Sequence, residues 1–361
     1  MAYYFLTASK DASIYLQQPN QNTGLDEVLE VSKVYYGNIK DVSRALIKFD
    51  LGFLSSSLTN GTIGMTEARL ILKETKAEEI PLQYTLYAYP TSGSWEMGTG
   101  TRFDNISTKG VTWNYREGDT KLDWLENNLA LGTDANPNNG QGGTWWMGNV
   151  ASQSFEYQTA DLSMDVKQTL KAWMSGAINS GYPNDGFILK YAESLENDTE
   201  DYGIIKFFSK ETNTIYQPKI RIGWDDQIFS VGTLSPLTAS DIKIGITNLK
   251  KHYKIETTPK LRVFGRELYP VKTFANSFSY NTVKYLPQNS YYQIKDAASD
   301  DIIIPFGNFS KISCDSDGNY ILLNLSNWEA DRTYKIEFKV DLGNGDIQFF
   351  DDDLTFSVVK D

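Results

Sequence analysis

Alternating apolar and polar residues, the pattern of β-strands, recur along most of this chain. In the segment 44–51 the two faces of such a strand separate cleanly, with Ala45, Ile47 and Phe49 on one side and Arg44, Leu46 and Lys48 on the other. A period of two with one apolar face predicts a half-buried strand. The same reasoning predicts further strands at 66–73, 82–89, 110–113, 186–191, 203–209 and 219–224.

One segment, 165–175, has the period of an α-helix instead. Its apolar residues fall at i, i+4 and i+7 on one stripe, namely Val166, Leu170 and Trp173. Asp165 followed by Gln168 predicts a capping-box start, and Gly176 predicts the stop. Many short strands and one helix, without a βαβ rhythm, predict an all-β fold in which a jelly-roll-like β-sandwich carries one short helix.

The strand pattern also divides the chain into two domains. We expect the jelly-roll-like domain to span 1–227, a Gly, Ser, Thr and Pro stretch at 228–240 to form a linker, and a second domain to span 241–361. Apolar residues alternate cleanly in the second domain at Ile242, Ile244, Ile246, Tyr334, Ile336, Phe338, Val340, Leu354, Phe356 and Val358. This pattern predicts an antiparallel sandwich of immunoglobulin-like size, an assignment that rests on architecture alone.

Charge and composition narrow the class of protein. The 361 residues carry a formal net charge of −12, and 13% of them are aromatic. A strongly acidic chain is unsuited to phosphate backbones or anionic membranes, so we expect no nucleic-acid partner. No apolar run is long enough to span a bilayer, so no membrane insertion is expected either.

Candidate nucleophiles and bases are scarce, which favours a protein that is not an enzyme. His252 is the single histidine, so it would have to serve any Ser-His-Asp or Cys-His arrangement, and Cys314, the single cysteine, is the only possible thiol. No Gly-x-Ser-x-Gly elbow accompanies them. We therefore interpret His252 as a solvated surface residue.

Two acidic stretches invite a metal or an acid–base interpretation. The residues 193–201 include five carboxylates, which in principle could hydrolyse a glycoside or bind Ca²⁺, although a solvated loop explains them most simply. A Ca²⁺ ion there is the one cofactor considered, and no other cofactor is expected. At Asp315-x-Asp317-Gly318 the EF-hand spacing is missing, and the pattern predicts a hairpin turn.

Trp145 and Trp146 are the candidate ligand-stacking residues. They follow a flexible Asn- and Gly-rich loop, 136–143, and an aromatic face beside polar amides suits a sugar ring. Since successive strand residues point to opposite faces, we expect one indole in the core and the other outside. Trp95 and Trp113 are expected in the core.

The order of motifs in the predicted N-terminal domain resembles that of a known family. The motif residues are Ala8, Ser9, Asp11, Ala12, Ile14, Tyr15, Asn22, Gly24, Leu29, Val31, the run 44–51, Trp95, Gly98, Gly100, Trp173, Gly176, the run 186–190, the run 207–211 and Pro218. They resemble the DNRLRE domain, the disaggregatase-related family. This resemblance implies a β-sandwich that occurs in cell-surface and polysaccharide-degrading proteins, where a related module binds acidic polysaccharide such as alginate.

The C-terminal residues have a second resemblance, to a β-module of structural proteins from tailed marine bacteriophages. It rests on the segments 291–296, 302–306, 313–320, 332–340 and 349–356. It implies a virion component without enzymatic activity, located in the neck, collar, tail or fibre. Such a protein would contact other virion proteins around a symmetry axis.

The alternative function is a carbohydrate-binding or receptor-binding adhesion module for acidic polysaccharide on a host surface. The first residues, Met-Ala-Tyr-Tyr-Phe, lack the basic and apolar regions of a signal peptide. We therefore expect synthesis in the host cytoplasm and a final location in the virion.

Overall fold

The structure is a computed structural model, and it describes most of the chain. The described residues are 2–52, 65–107, 109–124, 141–156, 161–174, 183–224, 229–231, 234–270, 284–326, 328–343 and 345–360. The predicted stop at Gly176 and the loop 136–140 lie outside them.

Strands dominate the described residues, as the sequence predicts. In chain order they are β1 (Ala2–Tyr15), β2 (Val28–Tyr36), β3 (Ile39–Phe49), β4 (Met65–Leu72), β5 (Glu74–Glu78), β6 (Gln83–Pro90), β7 (Tyr115–Glu117), β8 (Leu122–Asp123), β9 (Ala151–Glu156), β10 (Leu162–Asp165), β11 (Phe187–Tyr191), β12 (Gly203–Phe208), β13 (Lys219–Trp224), β14 (Ile242–Ile246), β15 (His252–Lys254), β16 (Lys260–Glu267), β17 (Ser290–Asp296), β18 (Ile302–Ile304), β19 (Ser313–Asp315), β20 (Gly318–Leu322), β21 (Arg332–Gly343) and β22 (Asp346–Val359). The α-helices are α1 (Lys167–Met174) and α2 (Glu193–Glu196), and a 3-10 helix spans Asn308–Ser310. The prediction of an all-β sandwich fold with one short helix is confirmed.

The chain divides into two compact units, Leu6–Ile222 and Met1–Phe5 with Gly223–Asp361. The N-terminal unit therefore begins at Leu6 and ends at Ile222, whereas the sequence predicts a domain that spans 1–227. The first residues group with the C-terminal unit because Tyr3 is buried in its hydrophobic core.

In the N-terminal unit, β3 is a central strand. The described strands pair in the order β10-β4-β13-β1-β3-β11-β6-β9, while β2 joins β3 to β12 and β5 pairs with β12. Every residue of β3 from Val42 to Ile47 is buried. The prediction of a half-buried strand is wrong, because both faces of β3 are covered.

Different layers cover the two faces. On one side, Trp173 of α1 lies 4.7 Å from the ring of Phe187, measured between centroids. On the other side is a tryptophan-rich core formed by Ala12, Ile14, Val42, Leu46, Tyr89, Trp95, Val111, Trp113, Trp124, Trp145 and Ile188. The predicted core positions of Trp95 and Trp113 are confirmed.

The predicted strand at 110–113 is wrong. Gly110 has a φ of 94°, outside the strand region, and the short strand β7 begins only at Tyr115. Instead of joining a ladder, the carbonyl of Val111 accepts a hydrogen bond of 2.7 Å from the side-chain amide of Asn22.

The C-terminal unit packs a sheet of order β14-β16-β20-β19 against one of order β15-β22-β21-β17-β18. Its core takes residues from both sheets, among them Ile244, Val263, Ile294 and Ile336. The antiparallel prediction holds for most pairs, but β15 runs parallel to β22.

The predicted hairpin between β19 and β20 is present, with Asp315 opposite Gly318. The stretch 228–240 is predicted to be a linker, but its described part belongs to the C-terminal unit and forms hydrogen bonds within it. Leu237 is buried and its amide donates to the carbonyl of Tyr285 at 2.7 Å.

Candidate functional site

A buried cluster of three charges lies beside the tryptophan-rich core of the N-terminal unit. Arg44 on β3 forms a two-point ion pair with Glu196 at the end of α2, its Nε lying 3.2 Å from Oε1 and its Nη2 2.6 Å from Oε2. The Nζ of Lys190 on β11 lies 3.1 Å from the same Oε2. This contact is an ion pair without hydrogen-bond geometry. One carboxylate therefore balances two buried cations.

Both cations also lie over aromatic rings. The guanidinium carbon of Arg44 is 4.8 Å from the ring centroid of Trp113 and 5.2 Å from that of Trp145. The Nζ of Lys190 is 4.2 Å from the Trp145 centroid. Cations in these positions are attracted by the negative face of the ring.

Burial changes the acid–base behaviour of Lys190. Loss of hydration is the largest cause that lowers its pKa from 10.5 to about 8, and the nearby charge of Arg44 acts in the same direction, while Glu196 opposes the shift. The ammonium is thus held in place against a sizeable desolvation cost.

Two glycines explain how the loop before Trp145 approaches this cluster. Gly142 and Gly143 both have positive φ, and the carbonyl of Gly142 accepts a hydrogen bond from Nη1 of Arg44. A Cβ at Gly142 would lie 2.6 Å from the Trp113 ring. A larger residue would therefore be strained and would also collide with the indole.

A cavity of about 170 Å³ opens beside the cluster. Its wall is formed by Leu16, Lys40, Val42, Arg44, Trp113, Trp145, Glu193, Glu196 and Asn197. The indole N–H groups of Trp113 and Trp145 are buried and have no hydrogen-bond acceptor among the described residues. The volume exceeds the ~10–15 Å³ that one water molecule needs, so the cavity can hold water or a small ligand beside the two indole rings.

The candidate stacking residues lie as the alternation predicts, one inside and one partly outside. Trp145 is buried, and its ring already faces Arg44 and Lys190. Trp146 is partly exposed, and its backbone amide donates to the carbonyl of Pro90 at 2.8 Å. A surface stacking role therefore stays a prediction for Trp146 alone.

The acidic stretch 193–201 is only in part the solvated loop that the sequence favours. Its first part is helix α2, and Glu196 is buried. Asp198 accepts hydrogen bonds from the Tyr202 hydroxyl at 2.9 Å and from Lys33 Nζ at 3.3 Å. These carboxylates face cations and hydroxyls, and among the described residues no three potential metal-ligating side chains come together.

The remaining candidates are far from this cluster in the chain and lie in the C-terminal unit. His252 is exposed, as predicted, and its Nδ1 lies 2.6 Å from Oγ of Ser357. Cys314 is buried and free.

A second feature of the N-terminal unit is a loop that presents large apolar side chains to solvent. Phe103 is 90% exposed and Ile106 is 75% exposed. We call these two residues the apolar tip. Isolated exposed apolar residues are common, but two such residues three positions apart on one loop are a candidate contact for a partner.

The loop beneath the apolar tip is held by a buried asparagine. The Asn22 side-chain amide donates to the carbonyls of Met97 at 2.8 Å and Val111 at 2.7 Å. Its Oδ1 accepts from the amide of Gly100 at 2.8 Å, and its own backbone amide donates to the carbonyl of Ser107 at 2.8 Å. One residue thus ties together both ends of the loop.

Arg102, next to Phe103, adds a second anchor. Its Nη1 lies 2.6 Å from Oε2 of Glu30, and its guanidinium carbon lies 4.2 Å from the ring centroid of Tyr15. The backbone under the apolar tip is therefore fixed while the tip itself is uncovered.

The pairing of Lys190 with Glu196 and the apolar tip are not predicted from the sequence. A lysine inside the apolar strand 186–191 is the available clue to the buried cluster, because lysine is rarely buried without a partner. The sequence gives no such clue to the apolar tip, since single apolar residues such as Phe103 and Ile106 are ordinary in a polar loop.

Comparison with protein-family models and with curated proteins finds no match to this chain. Among the described residues, no helix is long and apolar enough to cross a membrane.

Proposed function

We propose that this chain is a non-enzymatic structural component of a tailed-phage virion, in the neck, collar, tail or fibre, and that it acts through protein–protein contacts. The observation that supports the proposal best is the apolar tip on its fixed loop. The resemblance of the C-terminal residues to phage structural modules supplies the setting.

The geometry of the tip suits a protein contact. Burying a Phe or Ile side chain contributes about 1.5–3 kcal/mol, and a contact that orders no loop loses little of it to entropy. Because Asn22 and Arg102 already fix the loop, the tip can enter a partner's pocket without rearrangement.

The test is incorporation into particles. We expect the double variant F103D/I106D to be at least tenfold depleted in density-purified phage particles, because a charge cannot enter an apolar pocket. Mass spectrometry of particles from a phage carrying the variant gene gives the measurement. Asp at these exposed positions should leave folding intact.

The matched control is L82D/I215D, which alters two other exposed apolar residues of the same unit, 68% and 53% exposed. The control should incorporate like the wild type. Normal incorporation of F103D/I106D, or absence of the wild-type chain from particles, would contradict the proposal.

The second candidate function is binding of carbohydrate by the N-terminal unit. It is favoured by the cavity, whose wall combines the rings of Trp113 and Trp145 with the polar side chains of Arg44, Glu196 and Asn197. Aromatic walls with a few polar groups are typical of small-ligand sites.

Retention on polysaccharide affinity gels, alginate included, tests this candidate. We expect Trp145→Phe and Trp113→Phe to weaken retention about tenfold, or about 1.4 kcal/mol, because each replaces an indole in the cavity wall with a smaller ring. Trp146→Ala should weaken it as well if the outer indole stacks on the polysaccharide.

Trp124→Phe is the control, because Trp124 belongs to the same tryptophan-rich core but does not line the cavity. No retention of the wild type on any gel, or equal retention of all the variants, would rule out the cavity as a carbohydrate site.

A further inference from the structure

Aromatic and lysine side chains alternate in a row across one face of the C-terminal unit. The row, called here the aromatic–lysine row, consists of Phe229, Lys311, Tyr291, Lys339 and Phe349. Strand register places Tyr291 of β17 opposite Lys339 of β21, and Lys339 opposite Phe349 of β22. Lys311 pairs with Tyr291 on the other side.

The row lies on the outer face of its sheet. Tyr292 and Phe338, the strand neighbours of Tyr291 and Lys339, are in the hydrophobic core. Since successive residues of a strand point to opposite faces, the row points away from the core. Phe349 is 66% exposed.

Each cation of the row lies over an aromatic ring. Lys339 Nζ is 5.7 Å from the Phe349 centroid. Lys311 Nζ is 5.9 Å from the Tyr291 centroid and 5.4 Å from the Phe229 centroid.

The two lysines of the row are partly exposed. Other lysines on this face have acidic partners, as in the ion pairs of Lys335 with Asp351 at 2.7 Å and of Lys295 with Glu337 at 3.1 Å. Within the described part of the chain, neither Lys311 nor Lys339 has a carboxylate partner.

The spacing of the row fits a linear, repeating ligand. Adjacent strands lie about 4.8 Å apart, so the two lysines that flank Tyr291 are separated by about 10 Å between their backbones. Apolar faces and positive charges therefore alternate along the row.

We propose that the aromatic–lysine row binds an extended anionic polysaccharide. Sugar rings present apolar faces to aromatic side chains, and carboxylate or sulfate groups on the same polymer pair with the ammonium groups. Lysine is depleted at protein–protein interfaces, which argues against a protein as the partner. The row is separate from the apolar tip and from the cavity, so this binding adds to the function proposed above.

Isothermal titration of the full chain with alginate, dextran sulfate and neutral dextran tests the proposal. Alginate supplies carboxylates and dextran sulfate supplies sulfates. Dextran has the same sugar backbone as dextran sulfate but carries no charge. We expect binding of at least one anionic polymer, no binding of dextran, and weaker binding as salt is raised.

Two variants locate the binding. K311Q/K339Q and F349A should each weaken binding at least tenfold, the first by removing charge and the second by removing an aromatic face. K243Q/K250Q removes two exposed lysines outside the row and should bind like the wild type.

Any of the following results would overturn the proposal. These are no binding of either anionic polymer, equal binding of dextran, unchanged binding by K311Q/K339Q or F349A, and an equal loss in K243Q/K250Q. Binding of poly-glutamate or single-stranded DNA as tightly as the polysaccharides would also overturn it. None of these variants touches Phe103, Ile106, Trp113 or Trp145, so particle incorporation and cavity binding are tested independently.

Discussion

At the scale of single residues, the most consequential feature is the carboxylate of Glu196 between two buried cations. Taking charges out of water costs several kcal/mol per ion, and this cost is offset only when the geometry of the pairing is good. Arg44 meets that condition through its two-point pair with Glu196, and Lys190 shares the same carboxylate. The cluster is therefore sensitive to the loss of any one member.

We predict that Glu196→Gln lowers the free energy of unfolding by about 3–5 kcal/mol, because two buried cations lose their counter-charge. Chemical denaturation at pH 7 measures the change. Glu200→Gln, which alters an exposed carboxylate of the same segment, should change stability by less than about 0.5 kcal/mol. A loss below about 1 kcal/mol in Glu196→Gln would contradict the importance of the buried counter-charge.

The pH dependence gives a second check on the same variant. The folded-state pKa of Lys190 is lowered from 10.5 to about 8, so the unfolded state binds its proton more tightly. The unfavourable contribution of Lys190 is therefore full below the folded pKa and disappears as pH rises to the unfolded value. Without Glu196 the charged form of Lys190 is even less favourable in the folded state. The loss of unfolding free energy caused by Glu196→Gln should therefore become smaller between pH 7 and pH 9. A loss of unfolding free energy that stays the same from pH 7 to pH 9 would argue against a lysine that lacks its counter-charge.

Sequence reasoning can place Trp95 and Trp113 in the core, because bulky apolar residues at strand spacing are usually buried. It cannot bury Arg44, because charged residues are mostly exposed and its partner Glu196 is 152 positions away. Only the fold brings the two together.

At the scale of elements, β3 and the glycine loop determine the site. β3 can be predicted from its alternation, but its position at the centre of a sheet depends on pairing with β1, β2 and β11, which a local pattern does not encode. The segment 110–113 has a strand-like composition, yet Gly110 and the bonds of Asn22 give it another path.

The glycine loop supports a prediction with a matched control. Gly142 and Gly37 both have positive φ, at +77° and +56°, but of these two only Gly142 has atoms within 4 Å of the position that a Cβ would occupy. Gly37→Ala should cost about 1–2 kcal/mol for its backbone conformation. Gly142→Ala should cost about 1–3 kcal/mol more, because the added methyl meets Trp113.

Thermal or chemical unfolding of both variants tests this difference. Equal destabilisation would mean that the loop relaxes away from Trp113, and the close approach would then not be a requirement of the site.

At the scale of the whole molecule, the chain forms two β-rich units. The all-β class can be predicted because alternation persists through both halves of the chain. The function cannot, because one sandwich architecture serves many roles and the decisive side chains are on loops and outer faces. Phe103 and Ile106 become candidates only when their exposure is known.

The central claim is that the apolar tip contacts another protein of a phage particle. Photo-cross-linking from position 103 in assembled particles tests it most directly, with the same photoreactive amino acid at Leu82, an exposed site of the same unit, as the control. We predict a cross-link to a second particle protein from position 103 and none from position 82. No cross-link from position 103, or equal cross-linking from both positions, would contradict the claim.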